Sequence, residues 1–289
     1  MSKQQPRNIS GYSDAAVAAA YDRLLVPYHL AAPARDLVAM LALPAGGLVL
    51  DVGSGTGAAA VAAAEVVGPE GLVVALEPSL EMLRLLHKKH VCQAVAGLAP
   101  GLPFPAGRFD AVLANFVLSH FRSYEAALRD MVRVLRAGGG LGLTAWGAGQ
   151  TEFMRVWKEV AGAFVSMELL QRASEEVVPW EERFRDSAHL QRALEDAGLV
   201  GVEVKRQEHH VTIGLTDYLA LREATIEGRF LRQEFGAEQW HAFRQRVIAV
   251  FQGRFSEPIQ YSRAINLALG RKPPPRETSG LASPRRASC

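Results

Sequence analysis

The chain has 289 residues, 49% apolar and 21% charged, ordinary globular values that exclude a disordered chain. Two cysteines, Cys92 and Cys289, exclude a disulfide framework and a four-cysteine zinc site, and no apolar run approaches the ~20 residues that span a bilayer. Net charge is +2, yet residues 271–289 hold five basic residues against one acidic, so the other 270 sum to −2 and offer no field to draw in nucleic acid.

The start, Met1 to Ser10, is polar and lacks the apolar stretch of a secretory signal, so a cytoplasmic protein is expected. Tyr12, Tyr21 and Tyr28 then fall in a helical segment before the first strand. Four apolar runs of strand composition follow. LVLDV (Leu48 to Val52) precedes an Ala-rich helix, Ala58 to Val67. LVVAL (Leu72 to Leu76) precedes a helix over Ser79 to His90, with Leu80, Leu83, Leu85 and Leu86 at helical spacing. FDAVLA (Phe109 to Ala114) precedes a helix over Tyr124 to Leu135, and LGLT (Leu141 to Thr144) closes the series. Val91 to Val95 is a weaker strand between the second and third runs. Apolar strands alternating with helices specify a doubly wound α/β domain, a parallel sheet covered on both faces.

The second half changes character. Thr151 to Gln171 reads as one amphipathic helix with Phe153, Val156, Val160, Phe164 and Met167 on one face. Asp186 or Ser187 caps a helix running to Ala197, which Gly198 closes. Val202 to Ile213 alternates as a strand, and Gln260 to Leu269 does so more weakly. Helical segments lie between them, around Asp217 to Ile226 and Ala237 to Phe251. No linker separates the halves and there is no internal repeat, so one domain is expected. Residues 271–289, rich in Pro, Ser and Arg, read as a disordered basic tail.

Residues 49–57 read VLDVGSGTG: the first strand ends at Asp51 and Val52, and Gly53, Gly55 and Gly57 lead into a helix. Such a loop lets a ligand approach the backbone beside the positive end of a helix. Nicotinamide or flavin dinucleotides and S-adenosylmethionine compete for this geometry. The dinucleotide spacing is G-x-G-x-x-G; here it is G-x-G-x-G, with Asp51 two residues before the first glycine. A carboxylate there repels a pyrophosphate and attracts an ammonium and a sulfonium. Glu77, at the end of the second strand, is placed to accept hydrogen bonds from two ribose hydroxyls.

These residues resemble the class I S-adenosylmethionine-dependent methyltransferases, in the group of the ubiquinone/menaquinone-biosynthesis C-methyltransferases. VLDVGSGTG is similar to the family's first motif and EPSLEML (Glu77 to Leu83) to its acidic ribose motif. LPFPAGRFDAVLANFVLSHF (Leu102 to Phe121) and LRAGGGLGLTAW (Leu135 to Trp146) resemble the segments through strand four and into strand five. The resemblance implies a Rossmann-like, seven-stranded, mostly parallel sheet with its last strand antiparallel and helical lid additions. It implies one methyltransferase domain over 1–270: an N-terminal lid over 1–45, a cofactor core over 46–146, and helical additions with the last strands over 147–270. Carried onto this chain, Asp51, Gly53, Ser54, Gly55 and Gly57 would contact the methionine part. Glu77 would hold the ribose, with Pro78, Ser79 and Met82 beside the adenosine, Asn115 and Phe116 near the sulfonium, and Tyr21 as part of the lid. One departure stands out: where the family often has Asp-Ala accepting from the adenine amino group, this chain has Leu98-Ala99.

The expected reaction is methyl transfer to the O, N or C atom of a small molecule by in-line displacement, which positioning alone accelerates. The segment after strand four, ANFV, is not the Asn/Asp-Pro-Pro-aromatic motif of amino-group methyltransferases acting on nucleic acids, so no nucleic-acid partner is expected. His120 is the candidate base, since an imidazole near neutrality suits proton removal from a hydroxyl. No metal is expected: His209 and His210 point to opposite faces of a strand, and His87 and His90 flank lysines near a helix end. Trp157, Phe164, Trp180, Phe184, Phe230, Trp240 and Phe243, if they face the cleft, would select an apolar or aromatic acceptor. A nicotinamide-dependent oxidoreductase and a non-catalytic S-adenosylmethionine-binding module are the alternatives.

Overall fold

The structure, a computed structural model, describes residues 12–274. Seven strands form one sheet: β1 (Leu48–Val52), β2 (Leu72–Glu77), β3 (Gln93–Ala96), β4 (Phe109–Asn115), β5 (Leu135–Trp146), β6 (Val200–Ile213) and β7 (Ile259–Arg271). Their order is β3-β2-β1-β4-β5-β7-β6, and β7 runs antiparallel to both neighbours. The reversal between β1 and β4 opens a crevice at the carboxyl ends of the parallel strands, where α/β sheets bind ligands. The doubly wound, mostly parallel sheet expected from the sequence is the one observed.

Helices cover both faces. The N-terminal helix is continuous from Ala15 to Leu41, as α1 (Ala15–Ala20), a π-helical stretch (Tyr21–Leu30) and α2 (Ala31–Leu41). Asp14 starts it by accepting from the amides of Ala16 and Val17. In the stretch before Ala31 the turn is wide: the Ala31 amide reaches back to Val26, and Pro27 has no amide to offer. On one sheet face α2, α3 (Ala58–Val67) and α4 (Leu80–His87) bury Leu37, Leu41, Ala59, Ala63 and Leu86 against Val49, Ala75 and Leu113. On the other, α5 (Tyr124–Val134), α8 (Glu181–Phe184) and α9 (Ser187–Asp196) bury Leu128, Met131, Phe184, Leu190 and Leu194 against Leu50, Val112 and Leu143.

A third core lies beyond the sheet's carboxyl edge. It is built from α6 (Glu152–Gly162), α7 (Met167–Val177), α10 (Leu215–Ala224), α11 (Ile226–Glu234) and α12 (Ala237–Arg254) around Trp157, Tyr218, Phe243 and Phe251. The single helix expected over 151–171 is two helices. After Gly162 the amides of Phe164 and Val165 both turn back to Ala161, and Ser166 accepts from Leu169 to start α7. Helix α11 was not expected. Thr225 accepts from Gly228 to start it, and Gly228 lies so near the Arg222 carbonyl that an added Cβ would stand 2.2 Å away. Strand β5 begins at Leu135, directly after α5, rather than at Leu141.

Two expected boundaries differ. Within 1–45, α2 is bedded in the sheet core, so only the stretch before it approaches the crevice. Arg271 belongs to β7, and the Lys272 backbone pairs with Gly138 and Gly139 while its Nζ donates to the carbonyls of Arg133 and Leu135. Ordered chain thus runs past residue 270. The rest of the expected tail, 275–289, lies outside the described residues.

Candidate active site

The loop Gly53–Gly57 turns in the left-handed region, with φ of +67° at Gly53 and +93° at Gly57. An added Cβ at Gly53 would meet the Val117 side chain at 2.3 Å, so that position needs glycine for space as well as for its backbone; at Gly57 the backbone conformation is the reason. Four of the loop's amides are occupied. Those of Gly53 and Ser54 donate to the Leu76 carbonyl, that of Gly57 to the Ser54 carbonyl, and that of Gly55 to Glu77 Oε2. A pyrophosphate needs such N–H groups free; here three of them tie the loop to β2.

Two buried acids stand under this loop. Glu77 accepts from the amides of Gly55 and Ser79, each at 3.0 Å, and burial raises its pKa against those bonds. Two amides leave lone pairs on a carboxylate that can take further donors. Asp51 is fully buried and neither oxygen has a hydrogen-bond partner. Burial pushes its pKa up to about 7, the nearby Ala60 amide opposing and Glu77 adding to the rise. A carboxylate so placed binds a cation, which restores its charge. Tyr21, from the π-helical stretch, lies against Gly55, and its phenol is raised by burial and by Tyr12, Glu77 and Asp51. Ser79 caps α4 and donates to the Tyr12 carbonyl at 2.5 Å. Lys89 joins these parts, its Nζ reaching both Asp22 and the Thr56 carbonyl at 2.8 Å.

At the end of β4 the chain is held in an unusual form. Phe116 has φ of +54°, and its amide donates to Thr144 Oγ1, which itself donates to Asn115 Oδ1, both at 2.8 Å. The Phe116 ring stacks on Trp146 with centroids 4.1 Å apart. His120 ends the single turn Leu118–His120, edge-on to Tyr12 at 6.1 Å. Its surrounding atoms, and then Arg229, lower its pKa to about 4, so it is neutral at pH 7 and less basic than the sequence suggested. Met82 is buried in α4, Pro78 is exposed, Ala99 packs on the core, and Leu98 is 64% exposed with no polar group to offer an adenine.

The aromatic residues expected at the cleft are mostly elsewhere. Trp157, Phe230 and Phe243 are buried in the third core, Phe164 and Trp240 pack against it, and Trp180 and Phe184 pack on Tyr124. Beside Trp146, which stacks on Phe116, a set not singled out lines a cavity of about 50 Å³ at the border of the third core: His29, Tyr218, Arg222, Tyr261 and Arg263. Trp146 alone left a signal, as the last residue of a parallel strand, where such sheets carry their sites. Of the three N-terminal tyrosines, Tyr28 turns away and donates to Asp217 on α10 at 2.9 Å. His209 donates from Nε2 to the Tyr28 carbonyl while His210 meets Ser262, on opposite strand faces as expected. Among the described residues no group of three His, Cys, Asp or Glu could hold a metal ion. Among the same residues no helix is long and apolar enough to cross a membrane.

S-adenosylmethionine carries an ammonium and a sulfonium beside two ribose hydroxyls. The orphaned Asp51 and the half-satisfied Glu77, under a loop with four of its amides already bonded, fit that donor set. Comparisons with known proteins agree. Residues 50–143 match the model of a methyltransferase domain, and 3–94 match that of protein-L-isoaspartate(D-aspartate) O-methyltransferase. A ubiquinone/menaquinone biosynthesis C-methyltransferase from Cupriavidus necator is 33% identical over 183 residues, 57% of this chain and 72% of that protein. A demethylmenaquinone methyltransferase from Listeria welshimeri is 34% identical over 134 residues, 43% of this chain and 57% of that one. Among solved structures, Haemonchus contortus phosphoethanolamine N-methyltransferase 2 with S-adenosyl-L-methionine has a TM-score of 0.56 at 15% identity, covering 94% of this chain and 61% of that one. A methyltransferase from Thermotoga maritima has a TM-score of 0.52 at 18% identity, covering 91% and 99%. These two likenesses concern the fold.

Proposed function

The chain belongs to the class I S-adenosylmethionine-dependent methyltransferases, in the group of the ubiquinone/menaquinone-biosynthesis C-methyltransferases, and on that premise we propose that it methylates a small apolar or aromatic molecule. S-adenosylmethionine supplies the methyl group as a sulfonium, whose sulfur keeps the electron pair of the broken S–C bond. An oxygen, nitrogen or carbon of the acceptor forms the new bond to the methyl carbon and gives up a proton. The carrying observation is the pair of buried carboxylates at the glycine loop, Asp51 orphaned and Glu77 bonded to the loop itself.

In this reading Asp51 and the loop Gly53, Ser54, Gly55 and Gly57 hold the methionine part. Glu77 takes the ribose hydroxyls, with Pro78, Ser79 and Met82 beside the adenosine. Leu98 and Ala99 offer the adenine an apolar edge rather than an acceptor. Asn115 and Phe116 line the sulfonium, and Tyr21 closes over it. The low basicity of His120 supports a role as a neutral hydrogen-bond acceptor that orients the acceptor, with the proton passing on to water. The aromatic wall of Trp146, Tyr218 and Tyr261 supports an apolar or aromatic acceptor over nucleic acid. A cytoplasmic location is part of the same proposal.

Thermal unfolding with S-adenosylmethionine, S-adenosylhomocysteine and NADH tests it. A ligand at a hundred times its dissociation constant stabilises by about 2.7 kcal/mol, an upward shift of roughly 5–10 °C for a chain of this size. Shifts with the first two and none with NADH are expected. A shift with NADH alone would overturn the proposal, and binding without turnover on any small acceptor would favour a binding module.

A further inference from the structure

Arg263 lies on β7, opposite His209 on β6, and two residues from the Trp146–Ile265 pairing of β5 with β7. The register puts Trp146, Tyr261 and Arg263 on one face of the sheet, toward the π-helical stretch. The guanidinium lies 3.5 Å from the Trp146 ring centroid, and Phe116 stacks on the same ring at 4.1 Å, so the two occupy opposite faces of the indole. Stacking engages only the flat face of a guanidinium; its five N–H groups lie in the plane and remain available for a bidentate partner.

No such partner exists among the described residues. Arg263 makes no ion pair and its side chain no hydrogen bond, although burial lowers its pKa to about 10. Glu181 is the carboxylate that acts on it most, without forming an ion pair with it; its one ion pair is with Arg185, at 4.0 Å. Arg222, on the same cavity, is already paired with Glu227, which Lys158 also holds. Three further polar atoms on the cavity are buried and unpartnered: the Tyr218 hydroxyl, the Arg222 Nε and the His29 Nδ1. His29, neutral under burial, is bonded to Tyr261. A chamber rich in donors and empty of free carboxylate recognises an anion. Its volume, about 50 Å³, suits a carboxylate head rather than a whole acceptor. On its other side Arg263 borders a groove of about 200 Å³ floored by Gly147 to Thr151 and edged by Glu208.

We propose that Arg263 is the specificity-determining residue of the acceptor site, binding the carboxylate of an apolar or aromatic carboxylic acid across Trp146 from Phe116. This rests on the methyltransferase reading above and names the acceptor class for it. The acid group is an anchor: it ties one end of the molecule behind the indole while the reacting end reaches past its edge toward Phe116.

The test compares benzoate, cinnamate and 4-phenylbutyrate with their primary amides, by calorimetric titration at pH 7.5, with and without saturating S-adenosylhomocysteine. In the unaltered protein at least one acid is expected to bind tenfold or more tighter than its amide. Arg263→Gln erases that preference and Arg263→Lys keeps part of it. Both variants are checked for an unchanged thermal shift with S-adenosylhomocysteine, which shows that the fold and the cofactor site survive. Equal binding of acids and amides, no binding of any acid, or a preference that persists in Arg263→Gln overturns the inference. Failure of S-adenosylhomocysteine to bind the unaltered protein overturns the methyltransferase reading instead.

Discussion

Asp51 is held in the folded protein at a cost. Its pKa rises from an ordinary carboxylate value to about 7, so between about pH 4 and 7 the folded state binds more protons than the unfolded one. Stability from this group is therefore greatest below about pH 4 and is lost as pH rises toward 7. Asp51→Asn removes the ionisation, and we expect it to stabilise the ligand-free protein by roughly 1–2 kcal/mol at pH 8, with little change at pH 4. The same substitution is expected to weaken S-adenosylmethionine binding tenfold or more. Since the cation restores the charge, binding at pH 6 should release a fraction of a proton, measurable by titration calorimetry in buffers of different ionisation enthalpy. Release that persists in Asp51→Asn would contradict the assignment. His120 runs the other way: with a pKa lowered to about 4, it makes the protein less stable as pH falls from about 6.5 to 4. In His120→Ala that part of the acid loss should vanish, and turnover should fall without a shift in its pH profile between 6 and 8. A new profile there would show that His120 titrates in the reaction. Asp51 and Glu77 were legible as acids by their place at the ends of β1 and β2. Their states were not, because burial and hydrogen bonding are set by neighbours distant in the chain.

At the scale of elements, Lys89 ties the N-terminal helix to the glycine loop. Its Nζ bridges Asp22 of the π-helical stretch and the Thr56 carbonyl of the glycine loop, residues 67 and 33 positions away. Both carboxylate and ammonium are about a third exposed, so the ion pair itself is modest. Lys89→Ala is expected to weaken S-adenosylmethionine binding roughly 3–10-fold, as the lost bonds are each worth about 1 kcal/mol, with the unfolding midpoint lowered only slightly. Unchanged affinity would show that the helix does not close over the cofactor. The βα units over residues 48–146 were readable because each strand and its helix are local, with the period of apolar residues switching from continuous to helical. The breaks at Ser166 and Thr225 were hidden because their capping bonds compete with helix continuation only once tertiary packing turns the chain.

Across the whole molecule, two cores flank the sheet and a third sits over its carboxyl edge, with β7 serving all three through Ala268, Leu267 and Ile259. The end of β7 closes the assembly: the Lys272 backbone pairs with Gly138 and Gly139, and its ammonium donates to the carbonyls of Arg133, near the end of α5, and Leu135, at the start of β5. A chain ending at Gly270 is expected to be less stable by roughly 2–4 kcal/mol than one ending at Pro274, read from denaturant midpoints at equal slope. Equal midpoints would show that the sheet closes without Arg271 and Lys272.

The sequence by itself determined the doubly wound sheet, the glycine loop and the two acids beneath it, since each follows from residue type and spacing within one βα unit. Only the tertiary structure decided which aromatic residues are core and which face the crevice, because helical spacing looks the same for both. It alone brought Arg263 onto Trp146, since that meeting depends on the antiparallel register of β5 and β7 and on no local pattern.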